Sequence, residues 1–387
     1  MNSIKQLRYK LLKSTGKEQL KNIIAITLIL VCVLTAGGLW LKYMPVFGIK
    51  GQSSAYNEIA QNLTSGRGFV WNDGSSANET PGYPYYLAVI YSIVDNNYTA
   101  VKIIQLLLLG LIGVFVFLIC KRLSLKFIFS LLAGLATVLW PYFLLYSNLI
   151  LPEIPLALFL IISTYLLLLF QKTPTYLKSI SLGIILGLAT LTRPMVLLLP
   201  FLITAGIIIF IKKLRKPKSL LKILTLLIFF IITLTPWTIR NYREFNELTP
   251  VQSEISGMIE TDKTPPTTQE QTILNQNKTS YLKNIYLFWN PGAAGKQAKI
   301  VTDMYPKAKY LIFIYKIIFF CILALAMFSW KFLKQKKILL LWLCIAYFWA
   351  GYVFIRPFPR YTLPVIPIVI ILGFFTLHCL LLKLTKK

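Results

Sequence analysis

Two acidic residues beside prolines are the side chains of this chain that are best suited to chemistry. Glu153 lies in SNLILPEIPLALFL, between Pro152 and Pro155, and Glu79 lies in the turn NETPGYP. An ionisable group at a membrane edge is costly and usually functional. A carboxylate there can take a proton from a hydroxyl or bind a metal ion. The alternatives are a solvated loop acid for Glu79 and an interface acid paired with a structural cation for Glu153.

Arginines at the ends of apolar segments form a second set of candidates. They lie in LTRP, PWTIRNYREF and RPFPRY: Arg193, Arg240, Arg243, Arg356 and Arg360. Arginine binds phosphate oxygens bidentately and stays charged in a low dielectric, so several in one cavity would stabilise a leaving phosphate. For any single one, snorkelling to the interface is the alternative. Arg193 is the strongest candidate because it lies in a tight turn between two apolar segments.

The polar stretch 51–84 must position part of such a site. Ser53 or Ser54 can cap a short helix that runs to about Ser65 and ends at Gly66. At helical spacing Tyr56, Ile59, Ala60 and Leu63 share one face, residue 52 lies on the same side, and Glu58 points away. The prolines and glycine of PGYP predict an irregular backbone after this helix. Such a helix lies on the membrane surface or roofs a cavity.

The composition predicts a polytopic helical membrane protein. The 387 residues are 56% hydrophobic, with a mean hydropathy of +0.67, and apolar runs near the bilayer-crossing length recur throughout. We expect an all-α fold with about ten transmembrane helices and short amphipathic helices in the first outer loop. The expected spans are 22–44, 99–120, 126–142, 152–170, 178–192, 195–211, 219–238, 308–330, 337–355 and 362–382.

The charge pattern predicts the orientation. The net charge is +28, but the Lys and Arg residues cluster in short segments between apolar runs, which is typical of cytoplasmic loops and not of a nucleic-acid surface. Both termini are then cytoplasmic. All acids except Glu18 fall outside, which favours an outer working face. The expected units are a basic N-terminus (1–21), a transmembrane core (22–250) with outer loop 45–98, a long outer loop (239–307) that is a lid or a connector, and C-terminal transmembrane helices (308–387).

Several functions are disfavoured by the sequence. The five cysteines lie in or beside apolar runs and form no CxxC pair, so neither a disulfide framework nor a zinc site is predicted. We expect the lone histidine, His378, to be packed and hydrogen-bonded. The chain contains no Walker A motif and no GxGxxG, so energy coupling by a bound nucleotide is not expected.

The chain resembles the polyprenyl-phosphate-sugar-dependent glycosyltransferases of the GT-C architecture. The likeness is to the bacterial dolichyl-phosphate-mannose-protein mannosyltransferase-like and aminoarabinose-transferase-like branch. It runs from residue 51 to about 250 and returns at RYTLPVIP, residues 360–367. The segments that carry it are SSAYNEIAQNLTSGRGF, ETPGYPYYLA, LPEIPLALFL, GLATLTRP and TPWTIRNYREF.

The resemblance implies an inverting sugar transfer on the outer face of a cell membrane. The donor is a polyprenyl-phosphate sugar, and the acceptor is a lipid, a glycan or a protein. A general base is expected four residues before Tyr56, at position 52. Glu153 assists it, and Glu79 serves a divalent metal or a polar network near the phosphate. Arg193, Arg240, Arg243 and Arg360 hold that phosphate, and Tyr56, Tyr83 and Tyr361 line the substrate cavity.

Position 52 departs from the family pattern, because it is Gln52. An amide cannot accept a proton at neutral pH, and loss of a general base typically costs about 10²–10⁴ in rate. Either Glu153 or Glu79 is the base, or the protein is slow or inactive and binds lipid-linked sugar, or the copy is degenerate. A transporter of lipid-linked saccharide is a further alternative. Transporters favour inverted repeats with midplane polar sites, whereas here the polar residues gather at one face.

Overall fold

The protein is described by a computed structural model that covers residues 2–43, 52–251, 289, 308–354 and 359–385. Among these residues no β-sheet occurs, and Val70 and Ser76 form an isolated antiparallel bridge. The α-helices are α1 Asn2–Tyr43, α2 Gln52–Thr64, α3 Gly82–Val94, α4 Tyr98–Arg122, α5 Phe127–Val138, α6 Pro141–Ser147, α7 Glu153–Lys172, α8 Tyr176–Thr192, α9 Leu199–Phe210, α10 Pro217–Phe245, α11 Ala308–Phe328, α12 Lys336–Phe354 and α13 Ile366–Leu384. Short 3₁₀ helices cover Pro194–Val196, Lys212–Leu214, Ser329–Phe332 and Pro359–Val365.

The all-helical membrane fold that the sequence predicts is confirmed. In the described part of the chain, six helical segments are long and apolar enough to cross a membrane, or seven if α5 and α6, bent by 46°, form one broken span. They are Gly16–Tyr43, Tyr98–Arg122, Glu153–Lys172, Pro217–Phe245, Phe313–Phe332 and Tyr361–Leu384. Helix α8 and the segment Pro194–Phe210 are apolar but shorter. The number of ten spans stays a prediction.

Two of the predicted units are not separated from the transmembrane core in the structure. Helix α1 is continuous across residues 21 and 22, so the basic N-terminus and the first span form one helix. Helix α13 comes from the C-terminal segment but packs against α4, α5, α7 and α11 within the main core. Most of the predicted lid or connector, residues 252–288 and 290–307, lies outside the described residues.

Small residues let the helices approach closely. Gly183 and Gly187 are four residues apart on α8, and both face α10. A Cβ on Gly183 would lie 2.4 Å from the carbonyl oxygen of Leu226, and one on Gly187 would lie 2.6 Å from Thr233. Such spacing of small residues is a common device of membrane helix packing. It brings the C-terminal half of α10 against α8, beside the first loop.

The polar segment 52–84 folds mostly as predicted. Helix α2 buries Tyr56, Ile59 and Ala60, and its chain turns at Gly66, which has a φ of +78°. The helix already includes Gln52, so it begins before the predicted serine cap. The PGYP segment differs from the predicted irregular turn, because Pro81 precedes α3 and Pro84 lies in its first turn. Proline is tolerated there since the first turn of a helix needs no N–H donor.

Candidate functional site

A buried ion pair joins the two strongest sequence candidates. An Nη of Arg193 donates to Oε1 of Glu153 at 3.1 Å, and the two residues are 4% and 1% exposed. Glu153 begins α7 and Arg193 directly follows α8. The two helices are joined by only residues 173–175 and pack against each other, so the start of α7 and the end of α8 meet at one end of the bundle.

The local sequence explains why charges are tolerated at this position. The positive end of the α7 dipole favours a carboxylate on its first turn, and the negative end of the α8 dipole favours a cation. Pro152 and Pro155 fit the first turn of α7, and Pro194 ends α8 beyond Arg193. Removing one partner of a buried pair typically costs about 3–5 kcal/mol, because the other charge stays buried. Hence Glu153 and Arg193 depend on each other.

The C-terminal motif RYTLPVIP reaches the same place. The guanidinium carbon of Arg193 lies 5.9 Å from the centroid of the Tyr361 ring. Tyr361 belongs to the 3₁₀ helix Pro359–Val365, which packs against α7. A cation near an aromatic face is stabilised by the ring quadrupole. The backbone of Arg360 lies in this 3₁₀ helix, but its side chain and all of Arg356 lie outside the described residues.

The proline-containing segment of the first loop packs closely against the C-terminal end of α8. The Thr80 hydroxyl donates to the carbonyl of Thr192 at 3.5 Å. A Cβ on Gly82 would lie 2.7 Å from Oγ1 of Thr192 and 2.8 Å from the carbonyl of Leu191, so glycine is required for this approach. Glu79 precedes Thr80 and is half-buried. The turn therefore places Glu79 beside the chain that carries Arg193.

The tyrosines predicted to line a cavity are packed in the core. Tyr56 and Tyr83 are both 0% exposed and form an edge-to-face pair with centroids 5.3 Å apart. Tyr83 also stacks on Tyr86 at 5.5 Å. Burial raises the pKa of Tyr83 well above its usual value, and Tyr86 and the negative charge of Glu153 raise it further. These rings therefore lie close to Glu153 as a packed layer, and their role in binding substrate stays a prediction.

Gln105 is a site residue that the sequence analysis missed. This fully buried residue of α4 donates from Nε2 to the carbonyls of Ser147 at 3.1 Å and Leu149 at 2.8 Å. Its Oε1 accepts from the Tyr83 hydroxyl at 3.4 Å. Gln105 thus ties α3 to the irregular segment between α6 and α7, which leads into Glu153. The feature of the sequence that could have identified Gln105 is its amide side chain within the apolar run KIIQLLLLG, since polar residues inside membrane helices are usually functional.

We expect Gln105→Met to destabilise the protein and displace the segment before Glu153. Methionine has a similar shape but no donor, and each buried carbonyl left without a partner costs about 1–3 kcal/mol. Thermal unfolding of the purified protein measures this loss. The control is Ser163→Ala on α7, because the buried Ser163 hydroxyl has no hydrogen-bond partner among the described residues. Equal unfolding temperatures for Gln105→Met and the unaltered protein would contradict the assigned role of Gln105.

Arg240 is engaged in a structural contact. Its guanidinium carbon lies 4.8 Å from the Trp237 ring and 5.3 Å from the Phe69 ring, and its Nη2 donates to the Phe69 carbonyl at 3.2 Å. The Ser76 hydroxyl also donates to the Glu244 carboxylate. These contacts hold the first loop on the C-terminal end of α10. Arg243 is exposed, and phosphate binding by Arg240 and Arg243 stays a prediction.

We expect Arg240→Leu to loosen the first loop from α10. Of the contacts that Arg240 makes, the change removes two that reach the loop, the cation–π contact with the Phe69 ring and the hydrogen bond to the Phe69 carbonyl. These two together stabilise the folded loop by about 1–3 kcal/mol. Limited proteolysis of the segment 65–80 and thermal unfolding report the effect. Arg243→Leu is the matched control on the same helix, since Arg243 is exposed. Identical cleavage rates for the two variants would show that Arg240 does not hold the loop.

The structure gives less support to the expected general base at position 52 and to the expected metal ligand Glu79. Gln52 is half-buried at the start of α2, four residues before Tyr56. Glu58 cannot replace it from the other face, because its Oε1 accepts from the backbone N–H of Asn72 at 2.6 Å. Across the described ranges no three His, Cys, Asp or Glu side chains are grouped as metal ligands. Glu79 as a metal ligand therefore stays a prediction.

Comparison with protein families gives one match. The profile of the dolichyl-phosphate-mannose-protein mannosyltransferase family matches residues 78–237, which is fewer than half of the chain. The matched range contains Glu79, Gln105, Glu153 and Arg193. None of the curated proteins compared with the chain matches it.

Solved structures share the fold. The oligosaccharyltransferase of Archaeoglobus fulgidus, crystallised in complex with zinc and sulfate, superposes with a TM-score of 0.61 at 13% identity, covering 93% of this chain and 49% of that one. ArnT from Cupriavidus metallidurans, bound to undecaprenyl phosphate, gives a TM-score of 0.59 at 13% identity, covering 92% and 59%. The chain spans about half to three-fifths of the length of these proteins. The predicted GT-C-like membrane fold is therefore confirmed.

Proposed function

We propose that the chain is a membrane glycosyltransferase that moves a sugar from a polyprenyl-phosphate donor to a lipid, glycan or protein acceptor, with inversion at the anomeric carbon. The observation that carries this proposal is the buried Glu153–Arg193 pair beside the first outer loop. The fold and the family match of residues 78–237 support the same reaction class. A lipid phosphate crystallised with a protein of this fold, undecaprenyl phosphate in ArnT, supports the donor class.

Arg193 is the group that receives the leaving phosphate. Its five N–H donors allow a guanidinium to bind a carboxylate and a phosphate oxygen together. Glu153 orients Arg193 through their hydrogen bond. Since both residues are buried, the donor reaches them only when neighbouring residues move. In the low dielectric of the site, a fixed cation stabilises the charge that develops on the phosphate.

Glu79 is the carboxylate that takes the acceptor proton. It is half-buried, whereas Glu153 is buried and bonded to Arg193. As the acceptor hydroxyl attacks, its proton moves to Glu79 and its oxygen forms the new bond to the anomeric carbon. The bond from that carbon to the phosphate oxygen breaks, and the polyprenyl phosphate leaves with the electron pair. Attack opposite to the leaving group inverts the anomeric configuration.

A divalent metal would have a partial protein site. Glu79 is the carboxylate that would bind it, and the described residues supply no group of three ligand side chains. A hard cation such as Mg²⁺ usually keeps several waters and takes one or two carboxylates plus substrate phosphates. When bound, the metal would neutralise phosphate charge together with Arg193. This arrangement is compatible with Glu79, and none of the proposed roles of the chain depends on it.

The proposed setting is a cell membrane with both termini in the cytoplasm and the site on the outer face. The basic residues at the ends of α4 and α7 lie at the bundle end opposite to Glu153. The positive-inside rule assigns that end to the cytoplasm. Reaction of a membrane-impermeant thiol reagent with single introduced cysteines at the two ends, in a variant whose five cysteines are replaced by alanine, tests this orientation in intact cells.

Sealed liposomes distinguish the proposed transferase from the two alternatives. The purified protein is incubated with a polyprenyl-phosphate sugar and acceptor extract, and free polyprenyl phosphate is measured. The transferase releases it in step with acceptor glycosylation. A transporter moves the lipid-linked sugar to the other leaflet and releases none. A non-catalytic binding protein does neither, and either of these two results would overturn the proposal.

A further inference from the structure

An apolar groove lies at the bundle end opposite to the Glu153–Arg193 pair. Its volume is about 660 Å³, and its walls come from the end of α11, the 3₁₀ helix Ser329–Phe332 and the first half of α12. The residues that form most of the wall are Met327, Phe328, Trp330, Leu339, Trp342 and Leu343. The position is fixed by Lys337, whose Nζ donates to the carbonyl of Arg122 at the basic end of α4, at 2.9 Å.

The walls of the groove present apolar surface with few polar atoms. The indole N–H of Trp342 donates to the hydroxyl of Ser329 at 2.8 Å, so the polar edge of this ring is already satisfied. Trp330 and Met327 are 60% and 52% exposed. An exposed surface of this kind is stable only against lipid or another apolar partner. The groove therefore suits an apolar chain.

The length of the groove fits part of one leaflet of a bilayer. The groove follows α12 from Leu339 to Ala346, which at 1.5 Å per residue is about 10 Å. This is about a third of the roughly 30 Å hydrocarbon core of a membrane. Part of a fatty acyl chain from one leaflet would fill this length. A transmembrane helix of a partner protein would extend about three times as far.

The mouth of the groove is positively charged. Lys331 lies in the 3₁₀ helix with its Nζ 4.0 Å from the centroid of the Phe328 ring, and Phe328 is part of the wall. Lys334 and Lys336 follow and are exposed, and Lys336 shares a helix face with Leu339 and Leu343. These three lysines take part in neither of the two salt bridges that occur among the described residues. Their charge is open to an anionic headgroup.

We propose that this groove binds an anionic phospholipid, with one acyl chain against the α11–α12 walls and the phosphate headgroup at Lys331, Lys334 and Lys336. Positive charge at a cytoplasmic helix end also follows from topology alone. The juxtaposition of the lysines with an apolar groove is what distinguishes a site from this general pattern. Basic pockets between membrane helices on that side bind anionic headgroups. The inference does not depend on the proposed transferase activity.

Lipid titration of the purified full chain, read by native mass spectrometry, tests the proposal. Phosphatidylglycerol is compared with phosphatidylcholine of the same acyl chains. We expect tighter binding of phosphatidylglycerol, and we expect a triple variant with Lys331→Gln, Lys334→Gln and Lys336→Gln to lose about fivefold in affinity for each lysine. The matched control replaces three exposed lysines of another basic segment, Lys213, Lys216 and Lys218, with glutamine.

Substitutions that fill the groove distinguish lipid binding in the groove from simple attraction of the lipid to the surface lysines. Ala346→Phe and the milder Ala324→Leu place bulk in the groove, and Ala205→Phe adds the same bulk on the exposed face of α9. We expect the first two to weaken phosphatidylglycerol binding and the third to leave it unchanged. Full binding in both filled variants, or equal binding of the two lipids, would overturn the proposal. A dimer that the filled variants convert to a monomer would do so too, because the groove would then be covered by a second copy.

Discussion

Glu153→Gln is expected to reduce sugar transfer by about 10²–10⁴-fold, the range lost when a charged catalytic partner is neutralised. Glutamine keeps the shape and a carbonyl that can accept from Arg193, but it removes the negative charge that holds the guanidinium in a buried site. The rate of polyprenyl phosphate release at saturating donor measures the effect. Thermal unfolding measures the accompanying loss of stability, about 3–5 kcal/mol at most.

The control is Glu153→Asp, which keeps the charge with a shorter reach and is expected to recover part of the rate. Insertion into the membrane must be equal in all three proteins, so that only the assembled site differs. If Glu153→Gln turns over at the rate of the unaltered protein, Glu153 neither positions Arg193 nor takes part in the reaction. A loss of stability with unchanged turnover would assign the pair to the core alone.

In a Glu79→Gln background, Gln52→Asp is expected to raise the transfer rate by up to about 10²–10⁴-fold, the usual contribution of a general base, because the proposed base Glu79 is then absent. Residue 52 is the first described residue of α2 and lies on the same helical face as Tyr56, which is buried against Tyr83. A carboxylate in the first turn of α2 is also favoured by the helix dipole. Initial rates with and without acceptor identify whether the gain is in transfer.

Two controls accompany this gain. Gln52→Asn keeps an amide and is expected to change little, and Glu58→Gln is expected to leave the rate unchanged, because Glu58 bonds to the backbone of Asn72 on the other face. The transfer rate of the double variant Gln52→Asp with Glu79→Gln is compared with that of Glu79→Gln alone, which shows whether the new carboxylate replaces Glu79 as the base. If Glu79→Gln abolishes transfer and the double variant is equally inactive, a carboxylate at position 52 does not reach the acceptor hydroxyl and Glu79 is the base. If neither change affects turnover, position 52 and Glu79 lie away from the reacting atoms.

The membrane fold was predictable because it follows from local properties of the sequence. Apolar runs of bilayer length and clusters of Lys and Arg locate helices and basic ends without knowledge of packing. The selection of Glu153 and Arg193 as candidate site residues also rests on a local property. A charged group beside prolines at a membrane edge is costly and rarely accidental. The short connection between α7 and α8 then brings the two residues together.

Contacts between remote elements were not predictable from the sequence. Gln105 acts through two carbonyls more than forty residues away, and nothing in an isolated amide indicates its partners. In the sequence, Arg240 and Arg193 are both arginines near the C-terminal end of an apolar segment. Arg240 is enclosed by Trp237 and Phe69, whereas Arg193 meets a buried carboxylate. Tyr56 and Tyr83 fit an exposed cavity wall by residue type, yet both pack inside the core. In each case tertiary packing decides which residues the side chain contacts.

Binding of polyprenyl phosphate, the product of the proposed reaction, tests the central claim most directly. Its affinity for the purified protein in nanodiscs is compared with that of Arg193→Gln and of Arg67→Gln, an exposed arginine of the first loop. Losing a charged phosphate contact typically costs about 1.5–3 kcal/mol, so Arg193→Gln is expected to weaken binding about tenfold to a hundredfold. Arg67→Gln is expected to bind as the unaltered protein does. Equal affinity in all three proteins would contradict the assignment of Arg193 to the phosphate of the lipid-linked sugar.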